Sequence, residues 1–194
     1  MNHILIAYST NGGSTGEVAE TIADELRQAG RQVEVCELTK IGSLESYESM
    51  VIGAPMILGW HAQARRFMRR NRQLLVSKKI VYFACALRLT NDLKAKTSAI
   101  PMTIDPGLVS QPLKPEALNL KERFTSVGHY LSPMLTCAPG ITPLSVAFFN
   151  GKLDLRRLKW WQLLFVLGIV QGKPGDYRDW DFIRQWSRSL SQVI

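Results

Sequence analysis

The sequence predicts an α/β domain in which helices cover both faces of a parallel β-sheet. Short apolar runs alternate with longer segments whose apolar residues recur every three or four positions. The first run also leads through a polar, glycine-containing turn directly into such a segment. Repeated strand and helix units of this kind form doubly wound sheets, which bind ligands at the carboxyl ends of their strands. We find no internal repeat and predict a single domain, residues 1–194.

The first predicted unit consists of a strand, a turn and a helix. Residues 4–8 are apolar throughout, which is typical of a strand buried on both faces. Apolar residues at helical spacing between positions 18 and 29 predict the helix. Ser14 and Glu17 have the spacing of a capping box, and Gly30 stands where a helix commonly ends.

The later elements follow the same alternation. In chain order we predict strands at residues 32–38 and 49–53, a basic helix at 61–75, strands at 79–85 and 144–149, an apolar segment at 158–170 and a helix from Asp179. The sheet therefore has five predicted strands. Residues 89–143 hold seven of the nine prolines, and only residues 117–131 have helical spacing. Such a stretch is typical of an insertion or a functional loop.

Positive charge is concentrated in one part of the chain. The sequence has 24 Lys and Arg and 16 Asp and Glu, a net charge of +8. Residues 49–91 contain eight of the bases and no acid, so this segment accounts for the whole excess. A solvated face is the ordinary explanation for such a run. The alternatives are contacts with anionic lipid, with an acidic small molecule or protein, or with nucleic acid, and the absence of a nucleic-acid module argues against the last.

Several other classes of protein are excluded by composition. The three cysteines are an odd set without paired spacing, which indicates free thiols in a reducing cytoplasm rather than a disulfide framework. The three histidines are scattered, so we predict no metal site. The longest apolar run, residues 160–170, is shorter than the roughly 20 residues that a membrane span requires. No cationic and apolar leader opens the chain, so we expect a cytoplasmic protein.

The turn after the first strand is the strongest functional signal. Its residues are Ser9, Thr10, Asn11, Gly12, Gly13, Ser14 and Thr15. Between a strand and a helix N-terminus, backbone N–H groups converge on a bound anion, and glycines allow close approach. The turn lacks the lysine of a triphosphate-binding loop and the three spaced glycines of a dinucleotide site, so a phosphate monoester fits it best. The alternative is a polar turn in which Ser14 merely caps the helix.

This turn, preceded by Tyr8 and followed by Ala19 and Ile22, resembles the FMN phosphate loop of the flavodoxins. The resemblance implies a flavodoxin-like doubly wound fold with a five-stranded parallel sheet and helices on both faces. It also implies FMN as the cofactor, with its ring held by two further loops at strand ends. The residues of this chain in those loops are Pro55, Met56, Gly59 and Trp60 in one and Ala84, Cys85, Ala86 and Leu87 in the other.

Trp60 has two interpretations at this stage. An aromatic face would stack on the ring and exclude water, so we expect Trp60 near the cofactor. The alternative is a packing residue at the start of the basic helix. The second ring loop offers no aromatic residue. One face of a flavin is therefore either open to a bulky substrate or covered by the apolar side chain of Met56 or Leu87.

The chain also resembles the quinone-dependent protoporphyrinogen IX dehydrogenases among flavodoxin-like proteins. The similarity includes residues 51–54, Gly59, His61 and the basic helix, and in the tail residues 151–153, 156–161, Gly172 and 179–180. It implies an FMN-dependent oxidoreductase that takes electrons from a porphyrinogen-like small molecule and passes them to a quinone. The rival hypotheses are a flavodoxin-type electron carrier without a small-molecule substrate and a scaffold without flavin. No side chain is identified as a catalytic acid or base.

A cluster of cations and tryptophans opens the apolar segment near the C-terminus. Its members are Arg156, Arg157, Lys159, Trp160 and Trp161. Cations beside interfacial tryptophans and an apolar run are typical of a helix that lies in the lipid interface. We therefore predict peripheral contact with the inner face of the membrane, with a buried core helix as the alternative.

Overall fold

The computed structural model describes residues 3–57, 59–91, 99–114, 116–154, 156, 160, 168 and 173–194. In chain order its elements are β1 (His3–Tyr8), α1 (Ser14–Gln28), β2 (Gln32–Glu37), β3 (Ser49–Pro55), α2 (Ala62–Arg70), α3 (Arg72–Leu75), β4 (Lys79–Ala86), β5 (Leu89–Thr90), β6 (Met102–Ile104), a 3₁₀ turn (Pro106–Leu108), β7 (Val109–Ser110), α4 (Leu120–Phe124), α5 (Val127–Thr136), β8 (Ser145–Asn150), β9 (Lys152–Leu153), β10 (Gly175–Asp176) and α6 (Trp180–Leu190).

The main sheet confirms the predicted fold class. Its strand order is β2-β1-β3-β4-β8-β6, and every pairing within it is parallel. The predicted number of strands was wrong, because the described residues already form six strands of this sheet rather than five. The sixth, β6, lies in the proline-rich segment and pairs with β8 from Met102 opposite Val146 to Ile104 opposite Phe148. Three residues are too few to show a strand periodicity in sequence.

Helices lie on both faces of this sheet. One apolar layer joins the sheet to α1 and α6 through residues that include Ile22, Leu26 and Trp186. The other joins it to α2 and α5 through residues that include Met68 and Met134. The central strands β3 and β4 are buried along almost their whole length. This double burial explains why they are nearly continuous apolar runs in the sequence.

Two predicted helices differ from expectation, α1 at its start and the basic helix in its middle. The capping box at the start of α1 was wrong, because Gly13 is the N-cap residue and no side chain caps the helix. Gly30 is confirmed as the helix-ending glycine, with φ +79° and its N–H bonded to the Arg27 carbonyl. The basic helix is divided into α2 and α3 at Asn71, whose Nδ2 donates to the Phe67 carbonyl at 2.9 Å. A side chain that bonds to the backbone in this way competes with a continuous helix.

The proline-rich segment contributes both to the edge of the sheet and to the core. Tyr130 and Met134 of α5 are buried against the sheet. The buried Asp105 carboxylate, just after β6, accepts hydrogen bonds from the backbone N–H of Gly107 at 2.8 Å and of Asn150 at 3.1 Å. Asp105 therefore ties this segment to the end of β8.

The apolar segment at residues 158–170 lies almost entirely outside the described residues, which include only Trp160 and Gly168 of it. Trp160 is 74% exposed. Within the described part of the chain, no helix is long and apolar enough to cross a bilayer.

Candidate functional site

A cleft opens at the carboxyl end of the sheet, where doubly wound folds bind ligands. It lies beyond the ends of β1, β3, β4 and β8. The cleft is lined by Asn11, Gly12, Ser14, Thr15, Glu17, Pro55, Met56, Ile57, Cys85, Ala86, Leu87, Gly151, Lys152, Leu153 and Asp154. The three loops predicted from the sequence, after β1, β3 and β4, therefore contribute to one cleft.

The turn after β1 is fixed by backbone hydrogen bonds. Ser9 N–H donates to the Gly53 carbonyl at 3.0 Å, which ties the turn to the end of β3. Gly13 N–H donates to Thr10 Oγ1 at 2.8 Å. Gly13 has φ +88°, a left-handed conformation that only glycine adopts without strain. The turn thus has a defined shape before any ligand binds.

Three buried polar atoms of this turn have no hydrogen-bond partner among the described residues: Ser9 Oγ, Asn11 Nδ2 and Thr15 Oγ1. A buried polar group without a partner costs about 1–3 kcal/mol. The Asn11 side chain is positioned through its Oδ1, which lies 3.1 Å from His61 Nε2. Two hydroxyls and an amide that converge beside a helix N-terminus form a neutral donor set, which fits the phosphate of a mononucleotide. No group of side chains suited to a metal ion is found in the described ranges.

The two other predicted loops are joined by a hydrogen bond from Met56 N–H to the Cys85 carbonyl at 2.8 Å. Pro55, Met56, Cys85, Ala86 and Leu87 line the cleft as expected for ring-binding loops. Six predicted residues are not among those that line the cleft: Ser9, Thr10 and Gly13 of the turn, and Gly59, Trp60 and Ala84 of the other two loops. Ala84 is fully buried in the core on the α2 side of the sheet. Which of these residues contacts a cofactor remains a prediction.

Trp60 lies in the core rather than in the cleft. It is 1% exposed, and its ring centroid is 5.1 Å from that of Tyr82 in β4. Trp60 also forms an isolated bridge with Met56, which closes the loop after β3. This packing favours the second interpretation of Trp60, as a core residue, and does not support stacking on a flavin.

The Cys85 thiol is buried at the floor of the cleft. Burial raises its pKa to about 12, while the nearby Thr15 hydroxyl and the Arg178 guanidinium each lower it. The Thr15 hydroxyl is close to the thiol without making a hydrogen bond of normal geometry. Cys85 is therefore a neutral thiol at physiological pH and not a reactive thiolate.

The raised pKa of Cys85 predicts a loss of stability at alkaline pH. From pH 9.0 to about 12 the folded protein keeps a proton that the unfolded chain releases, so the free energy of unfolding falls as pH rises through this window. Urea denaturation across the window should show a steeper decline for the wild type than for Cys85→Ala. Parallel curves for the two proteins would contradict the assigned environment of the thiol.

Sequence reasoning missed the fourth wall of the cleft. This wall consists of Gly151, Lys152, Leu153 and Asp154, and Glu17 of α1 also lines the cleft. A signal for the wall was present, since residues 151–154 follow a predicted strand and its carboxyl end meets those of its neighbours. A Cβ on Gly151 would lie 3.2 Å from the Ala86 carbonyl oxygen, so this wall packs closely against the loop after β4.

The arginines of α2 lie outside the cleft. Arg66 and Arg70, together with Phe67 and Leu38, line a separate groove between α2 and the segment after β2. Arg88 follows β4 but is also not among the residues that line the cleft. Arg88 acts electrostatically on Tyr130 and Glu122. Contact of these arginines with an acidic small molecule, one of the alternatives for the basic segment, therefore gains no support from the geometry of the cleft.

The family model described as a flavodoxin domain matches residues 5–178. This chain belongs to the flavodoxin family. Flavodoxin 2 from Bacillus cereus has the same fold, with a TM-score of 0.50 and 11% identity over 99% of each chain. The flavodoxin fold is an FMN-binding fold, which agrees with the neutral donor set of the turn.

Curated relatives of this flavodoxin-family chain include an enzyme from Escherichia coli. The protoporphyrinogen IX dehydrogenase [quinone] of strain K12 is 31% identical over 200 residues, which cover 97% of this chain and 94% of the relative. The protein of the same name from strain O157:H7 matches equally well. This similarity to an oxidoreductase supports a flavin-dependent oxidoreductase activity for the present chain.

Proposed function

We propose that this protein is an FMN-dependent oxidoreductase that oxidises a porphyrinogen-like substrate and passes the electrons to a quinone. The observation that supports this proposal most directly is the set of three buried donors without partners among the described residues, Ser9 Oγ, Asn11 Nδ2 and Thr15 Oγ1. Asn11 and Thr15 line the cleft, and Ser9 is buried in the same turn. The similarity to protoporphyrinogen IX dehydrogenase over nearly the whole chain supports the choice of substrate and acceptor.

The residues of the turn would hold the FMN phosphate. Ser9, Asn11 and Thr15 would donate to its oxygens, together with backbone N–H groups at the start of α1. The loops after β3 and β4 would hold the ring through Met56 and Leu87, whose apolar side chains exclude water. When bound, FMN would supply the redox chemistry, which carries electrons from the substrate to the quinone.

Lys152 and Asp154 are charged residues that line the wall after β8. Lys152 is exposed, so its ammonium group is accessible to a carboxylate of an incoming substrate. We therefore propose Lys152, rather than the arginines of α2, as the cation that orients the substrate. Neither residue is assigned a proton-transfer role.

The proposed activity is tested with purified protein loaded with FMN. We expect anaerobic addition of protoporphyrinogen to bleach the flavin absorbance and a quinone to restore it over many turnovers. A Thr15→Val variant is the matched control, because it keeps the ring loops and should lose rate mainly through loss of FMN. If FMN binds but the porphyrinogen does not reduce it, the substrate assignment is wrong, and a flavodoxin-type electron carrier becomes the better description.

We also propose that the protein works from the cytoplasm at the inner face of the membrane. The exposure of Trp160 and Arg156 supports this proposal, while Arg157, Lys159 and Trp161 lie outside the described residues. A tryptophan beside cations favours the headgroup region of anionic lipid. Sedimentation with vesicles that contain anionic phospholipid should pull down the wild type. Equal recovery of a Trp160→Ser, Arg156→Gln variant would contradict the proposal.

A further inference from the structure

Arg178 is a charged residue of the C-terminal segment whose side chain is only 2% exposed. Its Nη1 donates to the Ser14 carbonyl at 3.1 Å. Ser14 is the first residue of α1 and part of the predicted phosphate turn. Arg178 Nη2 lies 2.8 Å from a carboxylate oxygen of Glu17, one helical turn further on. A residue remote in sequence therefore holds the first turn of α1.

The guanidinium is fixed from its other sides as well. Its Nε donates to Asp176 Oδ1 at 2.7 Å, and its Nη2 bonds to the other oxygen of the same carboxylate. The ring of Trp180 lies under it, with 4.3 Å between the ring centroid and Cζ. A planar group with five donors can make all these contacts at once, and an ammonium cannot. The site is thus specific for arginine.

The charge of Arg178 also reaches the cleft. Burial raises the pKa of the Cys85 thiol at the cleft floor, and the Arg178 guanidinium lowers it. The turn itself contains no cation. Arg178 is therefore a buried guanidinium beside the first turn of α1, paired with the carboxylate of Glu17, which itself lines the cleft, and with that of Asp176.

We propose that Arg178 is a positioning residue for the cofactor phosphate. By bonding to the Ser14 carbonyl it holds the turn and the first N–H groups of α1 in the arrangement that receives the phosphate. This inference rests on the proposed binding of FMN. It adds a specificity role, since the contribution of Arg178 concerns the phosphate and not the flavin ring.

Riboflavin, which has the same ring and ribityl chain but no phosphate, separates these contributions. We expect Arg178→Gln to reduce the ratio of FMN affinity to riboflavin affinity by roughly tenfold or more. The charge-assisted hydrogen bond to the Ser14 carbonyl is lost, so the turn that receives the phosphate is no longer held in place. Both affinities are measured by quenching of flavin fluorescence on the apoprotein. Arg178→Lys, which keeps the charge without the fork of donors, should lower the ratio by a smaller factor and serves if the glutamine variant does not fold.

The matched control is Arg188, which also links the C-terminal helix to α1 through a 2.7 Å contact with Glu25, far from the turn. Arg188→Gln should leave the affinity ratio unchanged. If the Arg178 variants weaken both flavins equally, or neither, Arg178 has only a structural role and the inference fails. A wild-type protein that binds neither flavin would overturn the proposed function itself.

Discussion

Substitution of Gly53 by alanine should sharply destabilise the protein. A Cβ at this position would lie 1.9 Å from Cζ of Phe83 and 2.1 Å from its Cε1, so the ring occupies the space of a side chain. Phe83 is fully buried and packs against Phe149, with 6.0 Å between ring centroids, so the ring cannot move outward freely. Overpacking of a core costs typically about 1–3 kcal/mol and occasionally more, and we expect the upper part of that range.

Urea denaturation measures this cost, and two further variants make it specific. Gly42→Ala is the control, since a Cβ there would have no heavy atom within 4 Å, and we expect a change within about 0.5 kcal/mol. Adding Phe83→Leu to Gly53→Ala should recover part of the loss by removing the ring. An unchanged denaturation midpoint for Gly53→Ala would show that Phe83 does not pack on this glycine.

Gly53 also connects stability to the proposed phosphate site. Its carbonyl accepts the hydrogen bond from Ser9 N–H, which holds the start of the turn. A displaced β3 would therefore displace Ser9 as well. We expect the affinity for FMN to fall in Gly53→Ala even under conditions in which the variant remains folded.

The second large effect is expected from removal of the buried hydroxyls of the turn. In a Ser9→Ala, Thr15→Val double variant, the affinity for FMN should fall by roughly a hundredfold, because two hydrogen bonds to a charged group are lost. The apoprotein should be as stable as the wild type or more stable, because two buried groups without partners are replaced by apolar ones. Titration with FMN and denaturation of the apoprotein measure the two effects separately.

A general loss of structure would lower both the affinity for FMN and the stability, so it cannot produce this pair of effects. Ser49 provides the control, because its Oγ is also buried and has no partner among the described residues, but it lies at the start of β3, away from the cleft. Ser49→Ala should leave the affinity for FMN unchanged. Should the double variant bind FMN as tightly as the wild type, the turn is not the phosphate site.

The fold was predictable because the signals that define it are strong and local. The inner strands are buried on both faces, so β3 and β4 stand out as apolar runs, and α1 repeats its apolar residues at helical spacing over four turns. Strand β6 was not predictable, since three residues are too few to show a strand pattern and become a strand only through pairing with β8. The predicted capping box of α1 was wrong, because Gly13 takes the N-cap position in a left-handed conformation and has no side chain that could cap the first N–H groups.

The candidate site was predictable to the extent that it follows from strand ends. The turn after β1 and the loops after β3 and β4 were placed correctly in one cleft, because they follow recognisable strands. Trp60 could not be placed, since the sequence does not reveal that Tyr82 lies beside it on the neighbouring strand. Arg178 was also beyond prediction, because its partners Ser14 and Glu17 are separated from it by nearly the whole chain.

The short strand β6 has a consequence for how molecules of this protein meet one another. Without it, β8 would form the sheet margin and present unpaired backbone groups along an apolar strand, a template to which a neighbouring chain can add. With it, the margin is only three residues long and lies between Pro101 and Pro106, neither of which has an N–H to donate. The proline-rich segment thus protects this margin of the sheet against pairing with another chain, while β2 forms the opposite margin.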